Sequence, residues 1–209
     1  MPAFPDTVLA DPEAAKYVDG IGIHWYADGN VNTSVLDTTH TNHPNKFMLY
    51  TEACNHCCGN GDWARGDSYV HNIMEDLNHW VAGWTDWNMC LSTTGGPNWV
   101  NNFEDAPIIV NATVDEFYKQ PMYYAMGHLS KFIVENSVRV QLDTHGITSN
   151  VLIESVAFQT PLNQRVLVIN NRNVNTNYAV TVRDASMQGH LTLNLEARSF
   201  TTIVWNSPN

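Results

Sequence analysis

Near Glu135 the chain changes its hydrophobic rhythm, and that change limits the fold more than any other feature. Before it, short apolar runs alternate with segments of helical spacing. After it, the apolar runs are short, several alternate at period two, and turn residues bound them. Strands separated by helices indicate parallel βα units; strands separated only by turns indicate an antiparallel sandwich.

In the first part, residues 18–26 (VDGIGIHWY), 46–54 (KFMLYTEAC) and 82–89 (AGWTDWNM) read as buried strands. Residues 67–80 carry Val70, Ile73, Met74 and Leu77 at helical spacing. A second helix is expected over 116–132, with Pro121 early in it or kinking it. In the second part, strands are expected at 138–142, 151–158, 165–170, 178–183, 190–195 and 199–205. Three βα units do not close a barrel, whereas eight do. The expectation is a small open sheet or the tail of a longer protein, and the leaderless, Pro-containing start favours the tail.

The formal net charge of -11 disfavours nucleic acid, whose phosphates want a basic surface. With 44% hydrophobic and 15% charged residues, the composition is that of a folded chain. No apolar run approaches the roughly 20 residues that span a bilayer. The motif for N-glycosylation occurs at Asn32 and Asn111. Cys54, Cys57 and Cys58 crowd around His56, but a closed zinc site needs a further ligand pair that Cys90 alone does not supply. No metal and no organic cofactor is expected; the cluster reads as a loop, with room for one disulfide.

Chemistry enters at Glu52, where the second strand ends. A carboxylate at the carboxyl end of a parallel strand is where barrel enzymes keep catalytic groups, and retaining glycosidases use such a group as nucleophile. His24 and Tyr26, two apart, would share a strand face. Trp84 and Trp87, three apart, would not, so at most one can stack on a sugar ring.

These features join a longer pattern. The chain carries VLADPEAAKY at 8–17, His24-Trp25-Tyr26, Glu52-Ala53-Cys54 and GWTDWN at 83–88. It continues with GGPNWV at 95–100, Asn102-Phe103, PIIV at 107–110, FYKQPM at 117–122, Gly127-His128 and SKFI at 130–133. Together they resemble the glucosylceramidases of glycoside hydrolase family 30. The resemblance implies an α/β plus all-β fold: the C-terminal portion of a (β/α)8 TIM barrel, with its last three βα units in residues 1–134, then an antiparallel β-sandwich in 135–209. It implies retaining hydrolysis of the β-glucosidic bond of glucosylceramide, with Glu52 as nucleophile. His24, Tyr26, Trp87 and Asn102 would bind the glucosyl group, and Cys54 would be a free cysteine near the pocket. The acid/base Glu of the family lies on the fourth barrel strand, which no segment here matches, so this chain alone is expected to be inactive. The implied partners are a glycosphingolipid, a saposin-type activator and an anionic lipid surface, in a lysosomal or secreted setting. The loop at 55–62 is shorter than in vertebrate members, and Ala64 stands where an Asp is usual. Those departures leave open a relative acting on other β-glycans, and the unmatched acid/base strand leaves open a non-catalytic fragment with residual carbohydrate or protein binding.

Overall fold

The computed structural model describes residues 1–148 and 150–208. They form two compact units: Met1–Asp62 with Glu75–Gln120, and Trp63–Met74 with the chain from Pro121 onward.

The first unit begins with helices α1 (Ala3–Leu9) and α2 (Pro12–Ala15). Asp11 caps α2 by accepting the Glu13 N–H at 2.8 Å, and Pro12 takes the first helical position, where no N–H is needed. Strand β1 (Gly20–His24) leads into a 3₁₀ turn, Trp25–Asn30, then helix α3 (Ser34–Asn42) and strand β2 (Phe47–Glu52). Helix α4 (Trp63–Asn78) passes through both units and returns to strand β3 (Val81–Trp84). The three strands are parallel in the order β1-β2-β3. Ile23, Met48, Tyr50 and Val81 form a core with Leu36 of α3. Phe47 is 53% exposed, so β2 is fully covered on one face only, not on both as its apolar run suggests.

Two expectations need correction here. The strand read over 82–89 ends at Trp84, because the Asp86 side chain accepts the Asn88 N–H at 3.0 Å and turns the chain. The helix read over 116–132 starts only at Pro121. Residues 116–119 form a strand instead, part of a second sheet of β4 (Cys90–Ser92), β5 (Ile108–Asn111) and β6 (Glu116–Lys119). β5 lies parallel to β4 and forms a hairpin with β6. Pro121 then opens helix α5 (Pro121–Ser130), the position its missing N–H favours.

In the second unit the strands are β7 (Val138–Arg139), β8 (Ile153–Gln159), β9 (Gln164–Asn171), β10 (Tyr178–Val182), β11 (Leu191–Leu195) and β12 (Ser199–Asn206). An antiparallel sheet of order β12-β9-β8-β7 packs one face on the β10–β11 hairpin. Period-two alternation sorts the side chains. Ala157, Leu167, Ile169 and Ile203 face the hairpin with Leu195, Val180 and Val182. Val156, Val166 and Val168 face the other way, at 1% exposure or less. On that side Trp63 of α4 stacks on Phe200 at 4.7 Å, and His128 of α5 bonds Thr202 at 2.9 Å. α4 and α5 approach closely because Gly66 has no Cβ: one would lie 2.8 Å from that of Pro121.

A charged cluster ties α4 to this sheet. Arg172 donates to Asp67 and Glu154, each at 3.0 Å, and His71 Nδ1 lies 2.7 Å from Glu154. Asn170 also donates to Asp67, at 3.0 Å. Burial would raise the Glu154 carboxyl, but His71 and Arg172 outweigh it and hold the group below its ordinary value.

Candidate active site

Glu52 is the last residue of β2 and keeps 21% of its side chain exposed. The register between β1 and β2 slips at this end, so that His24 pairs with Glu52 while Ile23 pairs with Tyr50. Two side chains converge on Glu52 Oε1. Tyr26 donates its hydroxyl at 2.7 Å, and His24 Nδ1 lies 3.7 Å away. The His24 and Tyr26 rings meet edge-on at 5.9 Å. They do so without sharing a strand face, because β1 ends at His24 and Tyr26 sits in the 3₁₀ turn.

Cys54 is a free, buried thiol whose sulfur lies 3.4 Å from the Tyr26 hydroxyl. Burial pushes the thiol up to about 11; the bond to Tyr26 opposes this, while Glu104 and Asp86 add to it. The Tyr26 hydroxyl is raised well above its ordinary value, first by burial and then by bonding to Cys54 and Glu52. Tyr26 therefore stays a neutral donor to Glu52 at any ordinary pH.

Trp87 follows β3, and its backbone N–H bonds the Ala53 carbonyl at 2.9 Å, which fixes it beside the chain segment that follows Glu52. The residue is 54% exposed. Asn102 is not brought into this group. It is exposed, its backbone N–H is held by Asn98 Oδ1 at 3.1 Å, and among the described residues no hydrogen bond joins its side chain to Glu52, His24 or Tyr26.

Three features escaped the sequence reading. Tyr50, 2% exposed, donates to Asp28 at 2.7 Å, a second tie between β2 and the turn that carries Tyr26. Glu104 is 5% exposed and lies beside Cys54, with His56 Nδ1 at 3.0 Å. Gln120, also buried, bonds Asp105, the Ala106 carbonyl and the Gly61 N–H, which seats the loop before β5. Only burial identifies these groups, because each partner is distant in sequence. Cys57 and Cys58 are joined to each other as a disulfide, and the Cys57 N–H bonds the Phe103 carbonyl at 3.1 Å.

Comparison with known proteins decides the family. The model of the glycosyl hydrolase family 30 TIM-barrel domain matches residues 1–133, and that of the family 30 beta sandwich domain matches 136–203. The chain belongs to glycosyl hydrolase family 30. It holds a partial TIM-barrel domain followed by a β-sandwich domain, as the motif resemblance implied. It is 44% identical to putative glucosylceramidase 3 of Caenorhabditis elegans and 42% identical to lysosomal acid glucosylceramidase of Mus musculus. Each alignment takes 98% of this chain but 40% of the relative, so the chain spans about two fifths of their length. Among solved structures, SrfJ from Salmonella typhimurium superposes with a TM-score of 0.87 at 25% identity, over 97% of this chain and 44% of that one. An endo-beta1,6-glucanase superposes at 0.80, also at 25% identity, over 98% and 45%.

Proposed function

We propose that Glu52 is the nucleophile of a retaining β-glucosidase acting on glucosylceramide, and that this family 30 chain carries that half of the catalytic pair. The observation that carries the reading is the convergence of Tyr26 and His24 on one oxygen of a strand-end carboxylate. A hydroxyl donor at 2.7 Å orients Glu52. The free carboxylate oxygen would attack the anomeric carbon, while a second carboxyl protonates the departing ceramide oxygen. Water would then release glucose with retained configuration. Such a pair stands about 5–5.5 Å apart, and no residue of this chain is assigned to the acid.

Trp87, exposed beside Ala53, would offer a face to the sugar. Asn102 would reach a sugar hydroxyl only from its loop. Similarity to the lysosomal mouse enzyme supports a lysosomal or secreted setting, with a glycosphingolipid substrate, a saposin-type activator and an anionic lipid surface as partners. A second reading, action on another β-glycan, is favoured by the likeness to an endo-beta1,6-glucanase and by the altered loop at 55–62.

The test is a chimera in which this chain replaces the matching part of a curated glucosylceramidase. The chimera is expected to hydrolyse glucosylceramide and to be labelled covalently on Glu52 by a mechanism-based glucosyl reagent. Glu52→Gln should abolish both, and undiminished turnover in that variant would sink the assignment. The chain alone is expected to show no turnover of a fluorogenic β-glucoside. A panel of β-glycans decides between the two substrate readings.

A further inference from the structure

The Asn-Ala-Thr motif at residues 111–113 has no part in the candidate active site. It occupies the tip of the β5–β6 hairpin, where residues 112–116 are all exposed. N-linked glycosylation needs this motif on a reachable surface. The local bonding of the folded hairpin is compatible with a glycan. Thr113 Oγ1 donates to Asn111 Oδ1 at 2.6 Å, so the motif's hydroxyl already lies on the acceptor amide. Asn111 Nδ2 donates one hydrogen to the Tyr118 hydroxyl at 3.2 Å. An amide nitrogen carries two hydrogens. Replacing the other by a sugar leaves both hydrogen bonds in place.

We propose that Asn111 carries an N-linked glycan. The proposal rests on the secretory or lysosomal setting inferred above. The donor is a lipid pyrophosphate-linked oligosaccharide. The bond from its sugar C1 to the pyrophosphate oxygen breaks, the C1–Nδ2 bond forms, and the proton lost from Nδ2 leaves with the lipid pyrophosphate. No electrons are exchanged. The motif at Asn32-Thr33-Ser34 is built differently: there the Ser34 backbone N–H bonds Asn32 Oδ1 at 2.9 Å, at the start of α3.

The position has a physical consequence. A cleft of about 470 Å³ runs beside Asn111, lined by Met89, Cys90, Ile108, Val110 and Phe117. Met89 and Phe117 are 77% and 61% exposed, an apolar patch of the kind that promotes association. A hydrated glycan on Asn111 covers that patch.

The test expresses the full chain behind a secretion leader in a eukaryotic cell. Whole-cell lysate is digested with peptide N-glycosidase, and the peptide bearing Asn111 is examined by mass spectrometry. Transfer occurs during translocation, so a variant that fails to fold still reports. One glycosidase-sensitive mobility step is expected, lost in Asn111→Gln and in Thr113→Ala and retained in Asn32→Gln. An unmodified Asn111, in cells that glycosylate a control protein, overturns the site, as does sugar found on Asn32 alone. Because the leader is supplied, that failure leaves the inferred setting untouched; the setting is tested by where the natural protein resides.

Discussion

Strands β2 and β9 carry similar runs of apolar residues but are used differently. In β9, Val166 and Val168 are buried on one face and Leu167 and Ile169 on the other, all at 5% exposure or less. In β2, Met48 and Tyr50 are buried on one face, while Phe47 is 53% exposed and the strand ends in a partly open carboxylate. A strand closed on both faces concentrates stability. A strand closed on one face leaves its polar end reachable, and chemistry can be placed there. The two strands thus differ in enclosure, β9 on both faces and β2 on one.

The largest effect should come from comparing truncations in the two strands. Leu167→Ala empties a site that is 4% exposed, and such core truncations cost about 2–5 kcal/mol. Phe47→Ala removes a larger side chain but should cost less than about 1 kcal/mol, because much of the ring already meets water. Urea denaturation of both variants measures the difference. Equal losses would break the comparison, since they would mean that β2 is as firmly enclosed as β9.

This difference also separates what was legible in the sequence from what was not. The alternation in β9 was readable because each residue's face follows from its neighbours' spacing. The hairpin of β5 and β6 was not. Phe117 and Tyr118 precede a true helix and fit its spacing, and only pairing with Val110 and Ile109 makes them a strand. Glu52 was legible as a strand-end carboxylate among family motifs. The tie between Tyr50 and Asp28 was not, because it joins residues 22 apart through a turn that no periodicity announces. Tyr26 was paired with His24 for a strand-face reason that the 3₁₀ turn replaces, and the two meet through the turn instead.

A smaller effect is expected at the charged cluster that anchors α4. Arg172→Ala removes the cation that Asp67 and Glu154 share and leaves Glu154 with His71. The cost should be about 2–3 kcal/mol, below that of breaking a fully buried pair, because Arg172 and Asp67 keep 27% and 21% of their side chains exposed. Acidification sharpens the test. Glu154 is held below its ordinary 4.5 in the folded chain, so its contribution is complete above that value and lost as pH falls through the lower folded one. Arg172→Ala removes part of what holds it down, so the variant should lose less stability on the acid side than the native chain. An unchanged acid slope would show that His71 alone sets the Glu154 carboxyl.

The smallest free-energy effect, and the one closest to the chemistry, is expected from Tyr50→Phe. The ring stays in its core, and the 2.7 Å bond to Asp28 is lost, worth about 0.5–1.5 kcal/mol. That bond and the one from Tyr26 to Glu52 both tie the 3₁₀ turn to β2. Loosening the first should let the turn lift and draw Tyr26 away from Cys54, whose sulfur it partly covers at 3.4 Å. The readout is thiol alkylation under native conditions near pH 8. Cys90 is exposed and should react in both proteins. Cys54, buried and with its thiol pushed up to about 11, should resist in the native chain and react faster in Tyr50→Phe. A variant less stable by the expected amount, yet with Cys54 as protected as before, would show that Tyr26 is held by Glu52 alone. The open end of β2 would then position its candidate nucleophile without help from the buried face beneath it.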